Sequence, residues 1–226
     1  MIAQGAKVII TGRKQDLVDD AAKELGATGL VANQSSLEDI DKLVAKTKSQ
    51  FGKIDILFLN AGTWNPIPLE SMTEEFYDSF MDVNLKGAFF TLLKFVPLLK
   101  KGSAVTFMSA ISAYGGGDGS IAIYSASRAA TNSLTRTLSY ELAAKGIRVN
   151  VVCPGPIDTP VFDKAGLPAE VLKQVKGKLE QHIPLKRLGR AEDVAKLVSF
   201  LSSDDASFIT GSEYVIDGGI SRIPLM

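Results

Sequence analysis

The stretch GSAVTFMSAISAYGGGDGSIAIYSASRAATN, residues 102–132, contains two kinds of element in succession. Residues 104–108 (AVTFM) form a short, nearly all-apolar run, the pattern of a strand covered on both faces. From 121 to 145 small and apolar residues recur at helical spacing until Gly146. Between them lie Ser109, at the strand's end, and a loop carrying Gly115, Gly116 and Gly117. On the helix, Tyr124 and Arg128 are four residues apart and therefore share a face, and a serine at a strand tip can reach that face. A hydroxyl, a phenol and a cation grouped in this way make a candidate proton-transfer site.

Outward from this stretch, apolar runs and helical patterns alternate. Residues 6–11 (AKVIIT), 29–32, 54–59 (IDILFL), 148–153 and 213–216 are further strands. Helices are expected over Gln15–Leu25, from Ser36 through SLEDIDKLVAKTKSQFG, from Thr73 towards Leu99 with a break near 82–84, and over Ala191–Ser202. Residues 159–189 carry helical pieces but no strand and form an excursion from the sheet. Strands apolar throughout, alternating with helices, predict a doubly wound α/β domain around a parallel sheet, with one domain spanning residues 1–226. Ligands of such sheets bind beyond the carboxyl ends of the strands, where this chain gathers Thr11-Gly12-Arg13, Asn60-Ala61-Gly62, Ser109 and Pro154-Gly155.

Composition excludes several classes. Lysine and arginine number 25 against 25 aspartates and glutamates, so no basic stripe argues for nucleic acid. Apolar residues 87–99 are interrupted by Lys94 and Pro97 and fall short of a membrane span. With one cysteine, Cys153, and one histidine, His182, neither a disulfide, a metal site nor a Ser-His-Asp triad is expected, and both residues are taken as structural. A soluble protein of the cytoplasm is the expectation.

Four motifs in order, LNAG at 59–62, VNLKG at 83–87, YSASR at 124–128 and RVNVVCPGPIDTP at 148–160, together with the terminal ITGSEYVIDGG, resemble the short-chain dehydrogenase/reductase family. The resemblance covers residues 4–219 and implies a Rossmann-type sheet and an NAD(P)-dependent interconversion of a carbonyl and an alcohol. It implies that Asn84 kinks a helix and holds a water of the proton relay. Ser109 then bonds the substrate oxygen, Tyr124 is the general acid/base, and Arg128 stands in the place of a lysine. A phenol titrates near pH 10 unless a neighbouring cation in a dehydrated site favours its ionised form, which is the task the resemblance gives residue 128. Arginine supplies permanent charge but cannot pass a proton. The step from Ser109 to Tyr124 is longer than the family usually shows, the surplus lying in the glycine loop.

For the cofactor, Thr11-Gly12-Arg13-Lys14 lacks the acid that would hold the ribose hydroxyls of NAD, and Arg13 suits the 2′-phosphate of NADP, so NADP(H) is preferred over NAD(H). Asn33 is assigned to the adenine, Asn60, Ala61 and Gly62 to the adenosine ribose, and Ile157 and Thr159 to the nicotinamide carboxamide. Pro154 and Gly155 complete the cofactor edge together with Tyr124 and Arg128. The family's opening strand and glycine-rich phosphate turn have no counterpart here. The expectation is therefore a sheet lacking its first, central strand, next to 6–11 and 54–59, in an N-terminally shortened form of a complete enzyme. Residues 159–189 are expected to act as a substrate lid, and the working unit to be a homodimer or homotetramer acting on a small carbonyl or alcohol. The alternative is a non-catalytic homologue serving as a nucleotide-binding or scaffold subunit.

Overall fold

The computed structural model describes residues 1–115, 117, 119–162 and 168–222. Its elements run β1 (Ile9–Gly12), α1 (Gln15–Leu25), β2 (Thr28–Val31), α2 (Leu37–Phe51), β3 (Ile54–Leu59), α3 (Glu74–Met81), a π-helical turn (Asp82–Gly87), α4 (Ala88–Phe95) and β4 (Leu99–Met108). They continue with α5 (Ala122–Ala143), β5 (Arg148–Pro154), β6 (Ile157–Asp158), α6 (Ala169–His182), β7 (Gly189–Arg190), α7 (Ala191–Ser202) and β8 (Glu213–Ile216).

Every strand pairing is parallel, so all the carboxyl ends of the main strands face one edge. The principal sheet has the order β3-β4-β5-β8. Its two inner strands are the most deeply covered: Val149, Val151, Val152 and Cys153 of β5 and Phe107 of β4 have no exposed surface. This is why their sequences show no polar alternation.

β1 and β2 form a separate two-stranded sheet, and among the described residues β1 is hydrogen-bonded only to β2 and β3 only to β4. The sheet is parted where the family resemblance places a further strand. The two parts are held side by side by an apolar cluster in which Leu30, Leu43, Phe95 and Leu98 meet Ile9, Ile54 and Leu57. Cover thins at the seam: Phe58 on β3 is 37% exposed while Thr106, its register partner on β4, is 1% exposed. Gln34 bridges the seam at the carboxyl edge, its amide donating to the Val83 carbonyl at 2.9 Å and to that of Ala61 at 3.4 Å.

Several sequence expectations are adjusted. The break expected near 82–84 is a π-turn, so α3 and α4 form one continuous helical path with a single wide turn. Residues 159–189 do touch a strand, because Gly189 opens β7, which pairs with β6. β4 begins at Leu99, five residues before the apolar run. Ser36 caps α2 by accepting from the Asp39 backbone at 3.2 Å, and the Asp39 carboxylate accepts from the Asn33 backbone at 2.9 Å.

Candidate active site

The site is assembled where α5, packed on β5, reaches past the ends of β3 and β4 through Arg128. The buried face of α5 is small and polar, with Ser127, Thr131 and Thr135 among its residues. Such side chains are tolerated there because each hydroxyl finds a carbonyl on its own helix: Thr131 donates to the Ser127 carbonyl at 2.9 Å and Thr135 to that of Thr131 at 3.0 Å. Small residues let the helix approach the sheet, which carries Tyr124 and Arg128 to the strand ends.

Arg128 is the most constrained of these groups. Only 5% exposed, its side chain runs back from α5, donates to the Met108 carbonyl at 2.9 Å and holds its guanidinium carbon 5.1 Å from the centre of the Tyr124 ring. Its Nε is buried with no hydrogen-bond partner among the described residues. A β-carbon added at Gly62 would collide with this guanidinium, so the glycine of Asn60-Ala61-Gly62 is the space that Arg128 fills.

Ser109 follows β4 directly. Its backbone N–H donates to Val152 at 2.8 Å, and its hydroxyl donates to the Arg128 carbonyl at 3.1 Å. Asn84 stands on the π-turn, 1% exposed, with its amide oxygen accepting from the Thr63 backbone at 2.8 Å and its nitrogen donating to the Thr63 carbonyl at 3.1 Å and the Ser127 hydroxyl at 3.3 Å. Ser127 in turn donates to the Tyr124 carbonyl at 2.7 Å. Asn84 therefore ties the loop after β3 to the helix that bears Tyr124.

Thr63 and Ser127 were not singled out in the sequence. The one signal for Ser127 is its position, a small hydroxyl residue three places after Tyr124.

The remaining assigned residues divide. Asn60, Ala61 and Gly62 are exposed at the open strand edge. Arg13 and Lys14 are exposed and border a recess of about 700 Å³ lined also by Ile10, Leu17 and Val18. Gly155 is required by close packing, since a β-carbon would press on Asp217, and its N–H donates to Ile216 at 3.0 Å. Pro154 ends β5 beside it, and Thr159 lies half-buried after β6. Two have structural contacts of their own. The Asn33 side chain accepts from the Ser35 backbone and hydroxyl, closing a local turn. Ile157 packs on Val152, Val194 and Val198 beneath the sheet edge.

Behind Ser109 lies a second polar cluster. The Tyr114 hydroxyl donates to Glu213 at 2.6 Å and lies 3.5 Å from Cys153, whose sulfur is 3.7 Å from the Asn132 amide oxygen. Burial, and then the hydrogen bond to Glu213, holds the Tyr114 phenol above its ordinary range. Burial likewise pushes the Cys153 thiol up. Among the described residues no cluster of His, Cys, Asp or Glu could hold a metal, and no helix is long and apolar enough to cross a membrane.

The comparisons with known proteins agree with this architecture. A family profile described as Enoyl-(Acyl carrier protein) reductase matches residues 1–221. The 3-oxoacyl-[acyl-carrier-protein] reductase FabG of Thermotoga maritima is 37% identical over 227 residues, covering 96% of this chain and 88% of that protein. A short-chain dehydrogenase/reductase from Brucella melitensis superposes with a TM-score of 0.84 at 33% identity, over 97% of this chain and 87% of that one. A blue fluorescent protein from a metagenomic library, solved with NADPH, superposes with a TM-score of 0.88 at 28% identity, over 97% of this chain and 89% of that one.

A parallel α/β sheet with its polar residues gathered at one edge is the frame of a nicotinamide-dependent oxidoreductase. The chain belongs to the short-chain dehydrogenase/reductase family of such enzymes.

Proposed function

We propose that this chain interconverts a carbonyl and an alcohol on a small molecule using NADP(H), with Tyr124 as general acid/base. The observation that carries the reading is the seating of Arg128: a permanent cation, pinned by Met108, over the face of the Tyr124 ring.

The residues fit the two ends of such a cofactor. Arg13 and Lys14 offer exposed cations at the rim of the recess beside β1, suited to a 2′-phosphate. Gly62 and the unsatisfied Arg128 Nε lie together at the other end. A nicotinamide cofactor, when bound, supplies or accepts the hydride. In this reading the Ser109 hydroxyl bonds the substrate oxygen, exchanging the Arg128 carbonyl for it. The Tyr124 hydroxyl gives or takes the proton at that same oxygen. Arg128 sets a permanent positive charge against the Tyr124 ring, and Asn84 holds Thr63 and Ser127 so that the loop after β3 and the start of α5 keep their spacing.

The same reading makes residues 159–189 a substrate lid within the single domain. α6 has no fully buried residue, which suits an element that moves on its support; positions 163–167 of this stretch lie outside the described residues. The exposed apolar residues Leu93, Tyr140 and Phe208 support a homodimer or homotetramer. The lone, buried, unpaired Cys153 supports a reducing compartment such as the cytoplasm.

The test is NADPH oxidation against a panel of ketones and aldehydes, with wild type and Tyr124→Phe side by side. The variant is expected to lose turnover by about 10²–10⁴-fold while binding NADPH as wild type does. Equal rates would remove Tyr124 from this role. Failure of wild type to bind cofactor saturably at millimolar concentration would leave the scaffold reading in its place.

A further inference from the structure

The segment joining Ser109 to Tyr124 is longer than the family pattern, and the structure shows how it is held. After Ala110 the chain makes a 3₁₀ turn over Ile111–Tyr114, reaches Gly115 at φ 96° and Gly117 at φ 84°, and returns through a second short turn to α5. Towards α5 it is tied by the Ile67 N–H, which donates to the Ser120 carbonyl at 3.2 Å. At the other end it is tied by Tyr114.

We propose that Glu213 is a positioning residue for the substrate side of the active site, fixing the Ile111–Tyr114 turn that follows Ser109 by its bond to the Tyr114 hydroxyl. Glu213 opens β8, opposite Val151 of β5. One of its carboxylate oxygens accepts from the Tyr114 hydroxyl at 2.6 Å and the Asn132 amide at 2.8 Å, and the other pairs with Arg136. Asn132 and Arg136 are four apart on α5, so this one carboxylate joins the last strand, the helix bearing Tyr124 and the segment leaving Ser109. Three donors converge on it, and its two oxygens accept from all three.

Tyr114 has a single proton. The short bond gives it to Glu213, leaving the phenol oxygen facing the Cys153 sulfur. Cys153 has no exposed surface, so the Tyr114 side chain also closes the way to the chain's lone thiol. This inference rests on the oxidoreductase reading for its kinetic consequence and on geometry alone for its structural one.

The experiment compares Tyr114→Phe, Glu213→Ala and the double variant, with Arg136→Ala as a control that keeps the Tyr114 to Glu213 bond. Folding is checked by circular dichroism; should Glu213→Ala not fold, Tyr114→Phe, which alters a half-exposed phenol, carries the test. Each single variant is expected to raise KM for the carbonyl substrate about tenfold, the scale of one lost charge-assisted hydrogen bond. The values of kcat and of KM for NADPH should stay within about twofold, and Cys153 should react with a thiol reagent about tenfold faster, on the same scale. The double variant should match either single one, because the tie is cut once, and Arg136→Ala should leave KM unchanged. Unmoved KM and thiol reactivity in both single variants, or effects that multiply in the double, would overturn the proposal. If wild type reduces no carbonyl at all, the oxidoreductase reading fails by itself. The thiol reactivity then decides the clamp: faster in both variants sustains it, and unchanged in both overturns it.

Discussion

The guanidinium of Arg128 lies over the Tyr124 ring at 5.1 Å and is fixed there by the Met108 carbonyl. The two side chains leave the same face of α5, one turn apart, and Arg128 spans from the helix to the end of β4. Where a lysine would present a single charged atom on a flexible stem, this arginine is packed as a flat plate with one nitrogen spent on the strand. Arg128→Ala should leave the buried Met108 carbonyl without its donor and open a cavity, lowering stability by about 2–4 kcal/mol. Carbonyl reduction should fall by about 10²–10³-fold. Arg128→Lys keeps the charge and should hold turnover within about tenfold of wild type. Thermal unfolding and steady-state rates check both variants, and an alanine variant within twofold of wild type would separate Arg128 from the chemistry.

Gly62→Ala tests the same contact from the other side. A methyl group there meets the guanidinium and comes within 3.3 Å of the Asn84 amide oxygen. The guanidinium is the end of a long side chain and can give way, so the stability cost should be near the low end for overpacking, about 1 kcal/mol. Displacing Arg128 from Tyr124 should cost about tenfold or more in turnover. In the Arg128→Ala background the same change should cost little further, and a cycle of the four proteins measures that coupling. Full additivity would show that the glycine acts independently of the arginine.

Arg13 is exposed at the rim of the recess beside β1, so changing it should not disturb folding. Arg13→Glu is expected to lower the ratio of kcat/KM for NADPH over NADH by at least tenfold, equal to about 1.4 kcal/mol. A ratio that does not move would place the 2′-phosphate elsewhere.

Stability should fall in alkali. Burial holds the Cys153 thiol above its ordinary 9.0, and burial with the Glu213 hydrogen bond holds the Tyr114 phenol above 10.0. Both groups keep their protons in the folded state at pH values where the unfolded chain loses them. Their contribution is full below about pH 9 and is lost as pH rises through the folded values. Urea unfolding midpoints should therefore decline from about pH 9 upward, and Cys153→Ala should flatten the first part of that decline. A midpoint independent of pH between 8 and 10 in wild type would contradict the assignment of these two groups.

Much of this architecture is legible in the sequence because the physics is local. The apolar runs at β4 and β5 have no polar alternation, and that pattern follows from burial on both faces, whereas β3 at the seam is only partly covered. Ser36 and Thr73 begin helices in the structure, each accepting a backbone N–H three residues on at 3.2 Å. The π-turn is not legible, because one extra residue in a helical turn leaves the apolar spacing nearly unchanged; VNLKG therefore passes as an ordinary interruption. The apolar residues Phe89, Phe90, Leu93 and Val96 divide between core and surface: Val96 packs against the core cluster while Leu93 is half exposed, and the fully buried residues of α4 are Ala88, Thr91, Leu92 and Phe95.

Of the assigned site, Asn84, Gly62, Arg128 and Tyr124 come together with Ser109, and motif order alone locates them. Asn33 and Ile157 also have structural contacts of their own, a local turn for the first and packing beneath the sheet edge for the second. The hub at Glu213 is out of reach of the sequence because its partners Tyr114, Asn132 and Arg136 come from two distant segments and meet it only in the fold.

The turn at Asp82–Gly87 also bears on how this chain tolerates changes in length. A π-turn holds one residue more than the α-turn it replaces, so deleting one residue there is absorbed by a return to ordinary winding, with the residues after it left in phase. Ala88 and Leu92 would then stay on the sheet, whereas a deletion inside α4 would turn everything after it by about 100°. Loss of a single codon within this stretch should therefore disturb the packing of α4 less than an equal loss from α4 itself, and its cost should fall on the placement of Asn84.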